Sequence, residues 1–524
     1  MNNKFKKVTC LLLGATLGVS AFASCGGNEE EDLTTEDAKT IYVEMYEGGY
    51  GTEWMKEIVK DFEKAYEAEG YEVKLSASAS MVYSNLENRL KAGPKINKTD
   101  LFLAGASNFN LIIDQGANYV SGYDYALADL TDLYNSPVYG EETLYKDKLI
   151  AQCVTRNEID GKYYSTNWGG GPLGFAYNMK FFTDNGWTVP NTTNEMIALI
   201  AEIKSDGYVP FVWCGTTAAY WEYAQLPWWR QLEADDEAVE RFWQCKDEDG
   251  NYSPEVFNSI ARLKSCKLVE DMIYDTTNSY ERSMTSTHIE AQMFLYDGAN
   301  KIAMMPTGDW AENEMDINGY PRENSTMGFM RVPVASDAIY LEDGSYRFET
   351  VRDDATLSAV IKAVDEGKTS YDGVSAEDFA GVKKLRSYTN TMAYEHNALI
   401  PVYANAKVGA KKFLAYLASD AALQKYYDLT GCFLPYESSN VQLKADATEF
   451  QKSLHMTMKN INFVTISDSK HKIFYGTSLN FNAGTIEARI GTTATAEKMT
   501  GTQFFNYTYN SVVDNFDTYV SLIG

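Results

Sequence analysis

The side chains with the most chemistry to offer in this chain are aromatic. It holds 9 tryptophans and 37 tyrosines, and several stand beside side chains that bond hydroxyl groups. Asp309 precedes Trp310, and Asn167 precedes Trp168. Trp213, Trp221, Tyr223, Trp228 and Trp229 fall within seventeen positions, and Tyr46 and Tyr50 flank a pair of glycines. Indole and phenol faces pack well on the C–H faces of sugar rings, while Asn and Asp meet the hydroxyls around the rim. The competing role is packing, since a tryptophan is more often a core residue than a ligand platform. Trp228 and Trp229 are adjacent on an expected helix and cannot both face one cleft.

Catalytic patterns fare worse. The four histidines, His288, His396, His455 and His471, are scattered, with neither HExxH nor a GxSxG nucleophile elbow. GGGPLG at 169–174 fits GxGxxG by letter. Pro172 and the strand-like FAYNM after it deny the helix N-terminus that would hold a pyrophosphate, so the segment reads as a turn. GKT at 367–369 lacks the upstream glycine of a P-loop, because Lys362 stands there. DEDGNY at 247–252 resembles a calcium loop, but its glycine comes too early and Asn258 replaces the bidentate glutamate. With 73 acidic residues, chance carboxylate pairs are inevitable and say nothing about glycoside hydrolysis. No metal and no cofactor is expected.

The 524 residues, 45% of them hydrophobic, suffice for two or more cores. The formal net charge of -27 becomes about -30 once three N-terminal lysines are removed. That excess repels nucleic acid and anionic lipid. Beyond Cys10 and Cys25, the five cysteines Cys153, Cys214, Cys245, Cys266 and Cys432 form no CxxC pair, so most read as small buried residues, with one disulfide left open.

Lys4, Lys6 and Lys7 precede an uncharged apolar run over 8–22, too short to span a bilayer and laid out as a secretory signal over 1–24. Ala23, Ser24, Cys25, Gly26 and Gly27 resemble a bacterial lipobox, with Phe22 where leucine is usual; the resemblance implies lipidation at Cys25. Residues 25–39 are polar and acidic and read as a flexible tether.

Structure is expected from Ile41, where Ile41, Val43 and Met45 alternate with polar residues as in a strand. Trp54, Ile58, Phe62 and Ala65 then recur at helical spacing. A strand over 71–78, a helix over 82–90 and an apolar strand over 99–105 complete a β-α-β-α-β order, which implies a parallel sheet. Ligands settle at the carboxyl ends of such strands, pointing to the loops after Met45 and Leu103.

Residues 161–203 resemble the signature of the family 1 extracellular solute-binding proteins, the maltose-binding-like group: a Gly-Lys-x-Tyr turn, a strand ending in Tyr177 and Asn178, and a helix opening after a Pro-Thr-x-x-Glu-like segment. LADLTDL at 127–133, FLYDGANKIAMMPTGDW at 294–310 and AKKFLAYLASDAALQKYYDLTGCFLP at 410–435 resemble three more of its blocks, in the family's order. The segment 335–390 is longer and more acidic than the family needs and reads as a surface insertion, and 442–524 matches no block.

The resemblance implies an α/β, two-lobed, periplasmic-binding-protein-like fold of type II that closes about a hinge on its ligand. Lobe one is expected over 40–166 plus 392–435, and lobe two over 167–391 plus 436–524. The first crossing is placed near 164–168 and the return near 391–400. Position in the motifs favours Trp310 and Trp168 as ligand platforms, with Asp309 and Asn167 as hydroxyl partners, Trp221 in second rank, and Tyr46 and Tyr50 reaching over from the opposite lobe. Asp309 has a competing role as a cap on the helix after it. The implied function is capture of an oligosaccharide outside the cell by a monomeric, lipid-anchored, non-enzymatic subunit that delivers it to an ABC permease. The alternatives are a secreted glycoside hydrolase, an adhesin-like surface protein, and a binder of another solute such as a peptide.

Overall fold

A computed structural model describes residues 38–78, 86–105, 112–113, 118, 120, 122–216, 220–233, 235–273, 276–464, 471–479 and 499–524. The expected signal, Cys25 and nearly all of the expected tether lie outside the described residues.

Strand β1 (Thr40–Tyr46) alternates buried and partly exposed side chains, as its sequence pattern demands. Helix α1 (Glu53–Ala65) buries Trp54, Met55, Ile58, Val59 and Phe62, one stripe at 3.6-residue spacing. β2 (Glu72–Ser78), helix α2 (Leu86–Ala92) and β3 (Leu101–Gly105) follow. Both β2 and β3 pair in parallel with β1, the arrangement expected from the β-α-β-α-β order. The short β4 (Thr166–Asn167) also belongs to this sheet.

A second, four-stranded sheet takes β5 (Leu173–Asn178), β6 (Val209–Phe211), β7 (Ile302–Gly308) and β8 (Met327–Met330) in the order β8-β5-β7-β6. Helices α3 (Glu222–Leu232), α4 (Ile260–Ile273), α5 (His288–Tyr296) and α6 (Ala311–Ile317) surround it. The chain then returns. β9 (His396–Leu399) inserts antiparallel between β3 and β4, giving the first sheet the order β2-β1-β3-β9-β4.

The two sheets are therefore the cores of two lobes joined by crossing segments. Outbound, the chain crosses over 168–172, just beyond the stretch expected, because β4 still hydrogen-bonds within lobe one. It returns over 391–395, where Thr391 bridges Pro172 and its hydroxyl donates to the Gly171 carbonyl at 2.9 Å. Gly170, at φ +99°, lies so close to this return segment that an added Cβ would sit 2.3 Å from the Ala393 nitrogen. After the helices Lys407–Leu417 and Asp420–Thr430 of lobe one, a third crossing leads to helix Glu449–Thr457, whose Ser453 hydroxyl accepts from the Phe329 N–H of β8 at 2.8 Å.

The segment 335–390 corrects the reading of a surface insertion. Its helices Asp354–Asp365 and Ala376–Ser387 bury Leu357, Val360, Ile361, Val364, Phe379, Val382 and Leu385 in the lobe-two core. The chain end also joins lobe two, where Thr508 accepts from buried Arg262 at 2.7 Å. Cys153, Cys214, Cys245, Cys266 and Cys432 are all buried free thiols, so none forms the disulfide the sequence left open.

Candidate ligand cleft

The carboxyl ends of β1 and β3 face the carboxyl ends of β6 and β7 across the junction of the lobes, and an aromatic cluster fills this seam. From lobe one come Tyr46, at the end of β1, and Tyr50, on the turn Gly48–Tyr50. His396, the first residue of β9, lies 6.0 Å from both rings, centroid to centroid. From lobe two comes Trp310, edge-on to Tyr50 at 6.4 Å. Tyr220 and Tyr223 stack on each other at 4.7 Å and present edges to Trp310 at 6.2 and 6.3 Å.

Backbone geometry sets these distances. Gly49 brings the first loop so near to Trp310 that a Cβ would lie 3.0 Å from the indole Cδ1. The Asn313 amide of α6 donates to the Gly49 carbonyl at 3.0 Å, so lobe-two helix and lobe-one turn are joined directly. Tyr220 holds φ +67°, a left-handed conformation that costs a tyrosine about 1–2 kcal/mol. Such strain persists only where its surroundings enforce it, and it gathers at ligand sites.

Asp309 lies beneath this cluster and is buried. Its carboxylate accepts from the Phe433 N–H at 3.0 Å and from the Tyr50 hydroxyl at 3.4 Å, and the Gly171 backbone also bonds to it. One side chain thus touches the first crossing, the third crossing and the first loop of lobe one. Burial pushes its carboxyl up to about 7 despite those hydrogen bonds. Burial and the neighbouring Asp309 raise the Tyr50 hydroxyl well above its ordinary value, which keeps it a neutral donor. Burial lowers His396 to about 4, so its imidazole is uncharged at neutral pH.

Of the residues singled out from sequence, Tyr46, Tyr50, Asp309 and Trp310 meet at the seam. Asp309 does not cap α6; its side chain is committed to the crossings. Trp168 lies under the lobe-one wall, with its Nε1 donating to the Ala104 carbonyl at 2.9 Å and its ring 5.4 Å from His396. Asn167 belongs to a buried hinge network, accepting from the Asn157 amide at 2.8 Å and donating to the Ala393 carbonyl at 2.6 Å. Trp221 sits in the lobe-two core against Phe211 at 5.2 Å and Phe175 at 6.4 Å. Trp228 and Trp229 are buried in that core as well.

Sequence reasoning missed Tyr220 and His396. Tyr220 adjoins Trp221 in an aromatic run, but its left-handed backbone leaves no trace in residue type. Two cavities lie away from the aromatic cluster, one of about 580 Å³ on lobe one beside Tyr139 and Lys411. Another, of about 780 Å³, lies between the lobes by Tyr436 and His455. Neither is lined by any residue of the aromatic cluster.

No family model matches the chain. Among curated proteins, the diacetylchitobiose binding protein NgcE of Streptomyces coelicolor is 24% identical over 327 residues, 57% of this chain and 62% of that protein. The chain therefore spans less than two thirds of that relative's length. Among solved structures, apo RafE from Streptococcus pneumoniae superposes with a TM-score of 0.55 at 16% identity, covering 92% of this chain and 97% of that one. Maltose-bound MalE3 of T. maritima gives 0.57 at 13%, covering 91% and 100%. The chain folds as a type II solute-binding protein. The superpositions cover about nine tenths of this chain and bear out, at the level of fold, the resemblance read from the sequence.

Proposed function

We propose that this chain is the extracellular ligand-capturing subunit of a bacterial ABC importer, that it binds an oligosaccharide between its lobes, and that it hands the sugar to a permease in the membrane. The observation that carries this reading is the set of Trp310, Tyr220 and Tyr223 facing Tyr46 and Tyr50 across the seam. These rings now touch edge to face, and separation of the lobes would offer a sugar an apolar surface on each side. The names of its relatives agree in kind: NgcE is a diacetylchitobiose binder, and a structure of RafE holds raffinose.

Binding without hydrolysis is supported by the use of the most perturbed carboxylates. Asp309 is engaged by the crossings, and Glu312, which burial pushes to about 7, accepts from the Thr448 hydroxyl at 2.7 Å. Cys25 supplies the lipid anchor, and the protein acts as a monomer at the outer face of the membrane.

A thermal-shift screen of the protein against neutral oligosaccharides tests the reading. A ligand at a hundred times its Kd stabilises the folded state by about 2.7 kcal/mol. A clear rise in Tm with at least one sugar and no release of reducing ends is the expected result. Release of reducing ends would point to a glycosidase, and stabilisation by peptides alone would reassign the solute.

A further inference from the structure

The return crossing ends in a tight turn, Ala393–Glu395, which buries Ala393 and Tyr394 and leaves Glu395 half-buried. The next residue, His396, lies 6.0 Å from the rings of both Tyr46 and Tyr50 of lobe one. The Glu395 charge also bears on the Tyr223 phenol of lobe two. This side chain therefore starts at the hinge, between the two halves of the aromatic cluster.

Its carboxylate is uncommitted. Among the described residues nothing donates a hydrogen bond to it. The hydroxyls of Tyr220 and Tyr223 and the indole N–H of Trp310 likewise make no hydrogen bond among the described residues. Polar groups in such a place exchange solvent for ligand when a ligand displaces the water, and they must then be matched. Glu222 and Glu314 bear on the same tyrosine pair. The facing cations are fewer: His288 lies 3.5 Å from Glu314, and Arg156, whose charge favours the ionised form of Glu395, is itself buried over the Tyr394 ring at 5.5 Å.

We propose that Glu395 is a specificity-determining residue of the cleft, which accepts hydrogen bonds from the hydroxyls of a neutral sugar and turns away sugars that carry a carboxylate or a phosphate. An ionised carboxylate only accepts, and its two oxygens suit a pair of neighbouring hydroxyls. An anionic sugar would bring like charge to the same enclosed spot, where Glu222 and Glu314 add to the repulsion. The inference rests on the oligosaccharide reading and narrows it to uncharged sugars.

Calorimetric titration of the intact protein with cellobiose, maltose, raffinose and N,N′-diacetylchitobiose, and with cellobiouronic acid and maltose 6′-phosphate as acidic probes, tests this. The acidic probes are expected to bind at least about tenfold more weakly than the best neutral sugar. Glu395→Gln should weaken that neutral sugar by roughly ten- to a hundredfold while the acidic probes lose nothing. Glu395→Asp, which keeps the charge, should keep the exclusion of acidic sugars. The Tm of either unliganded variant is not expected to fall, because the carboxylate holds no partner in the fold. Unchanged affinity for the neutral sugar in Glu395→Gln overturns the proposal, as does an acidic probe that binds as tightly as the best neutral one. A lowered unliganded Tm with equal losses for both kinds of sugar would make Glu395 a structural residue and also overturn it. If none of the neutral sugars binds, the proposal fails, and the broader oligosaccharide screen decides separately whether the carbohydrate reading stands.

Discussion

Tyr50 of lobe one donates its hydroxyl to the buried carboxylate of Asp309 in lobe two, 3.4 Å away. This bond spans the seam at the point where Asp309 also holds the backbone of the third crossing through Phe433. Because the bond joins a loop of one lobe to a strand end of the other, opening of the seam is expected to weaken it. Tyr50→Phe removes the donor and keeps the ring. It is expected to lower ligand affinity by roughly three- to tenfold by raising the population of open molecules. Calorimetry reads the affinity, and X-ray scattering of the unliganded protein should show a larger radius of gyration. An unchanged affinity and radius would remove the bond from the closure equilibrium.

Trp310 is the lobe-two ring nearest to the first loop of lobe one, with Tyr220 and Tyr223 against its edges. Trp310→Ala should weaken sugar binding by about 1–3 kcal/mol, the range for loss of one stacking platform. Trp221→Phe, made in the lobe-two core, should leave affinity within twofold and serves as the control. Equal losses from both would mean that Trp310 acts through packing.

Gly171 is a steric requirement of the first crossing. A Cβ there would lie 2.1 Å from Asp309 Oδ2, inside any permitted contact. Gly171→Ala is therefore expected to displace the carboxylate from its partners and destabilise the fold by about 2–4 kcal/mol, the scale of a disrupted buried network. Pairing it with Asp309→Ala frees the space, so the double variant should be less destabilised than the sum of the singles. Additive losses in chemical denaturation would refute the clash.

Stability should also depend on pH through Asp309. Its carboxyl lies at about 7 in the folded state against 3.8 as the ordinary value, mainly from burial. The folded protein therefore binds this proton more tightly than the unfolded chain. Its stabilising contribution is complete below about pH 4 and disappears as pH rises through about 7. The total is on the order of a few kcal/mol. Asp309→Asn should flatten the slope between pH 4 and 7 in denaturation curves, although Glu312, raised in the same direction, keeps part of it.

Cys25→Ala should release the protein from cell membranes into the medium and abolish incorporation of labelled fatty acid. Continued labelling of the variant would rule out that cysteine as the anchor.

Much of lobe one was legible in the sequence because its signals are local. Ile41, Val43 and Met45 alternate, and Trp54, Ile58 and Phe62 recur at helical spacing; both patterns became the elements they imply. The segment 335–390 was misread although Leu357, Val360, Ile361 and Val364 carry a helical stripe; its acidic exposed faces masked that periodicity. Asn167 and Trp221 show a different limit. Each has the right chemistry for a sugar, yet one ties the hinge and the other fills a core. Local sequence cannot tell which way a side chain points when both directions are buried. Tyr220 marks the third limit, since its left-handed backbone arises from packing rather than from residue type.

The strand His396–Leu399 wedges into the middle of the first sheet, with β3 on one side and Thr166–Asn167 on the other. A ribosome must therefore deliver about four hundred residues before the earliest-made half of the molecule can zip shut. Until then β3 keeps a raw hydrogen-bonding edge, and the delay favours slow, late-committing assembly. A chain truncated ahead of His396 is expected to leave both halves incomplete rather than yield one finished lobe.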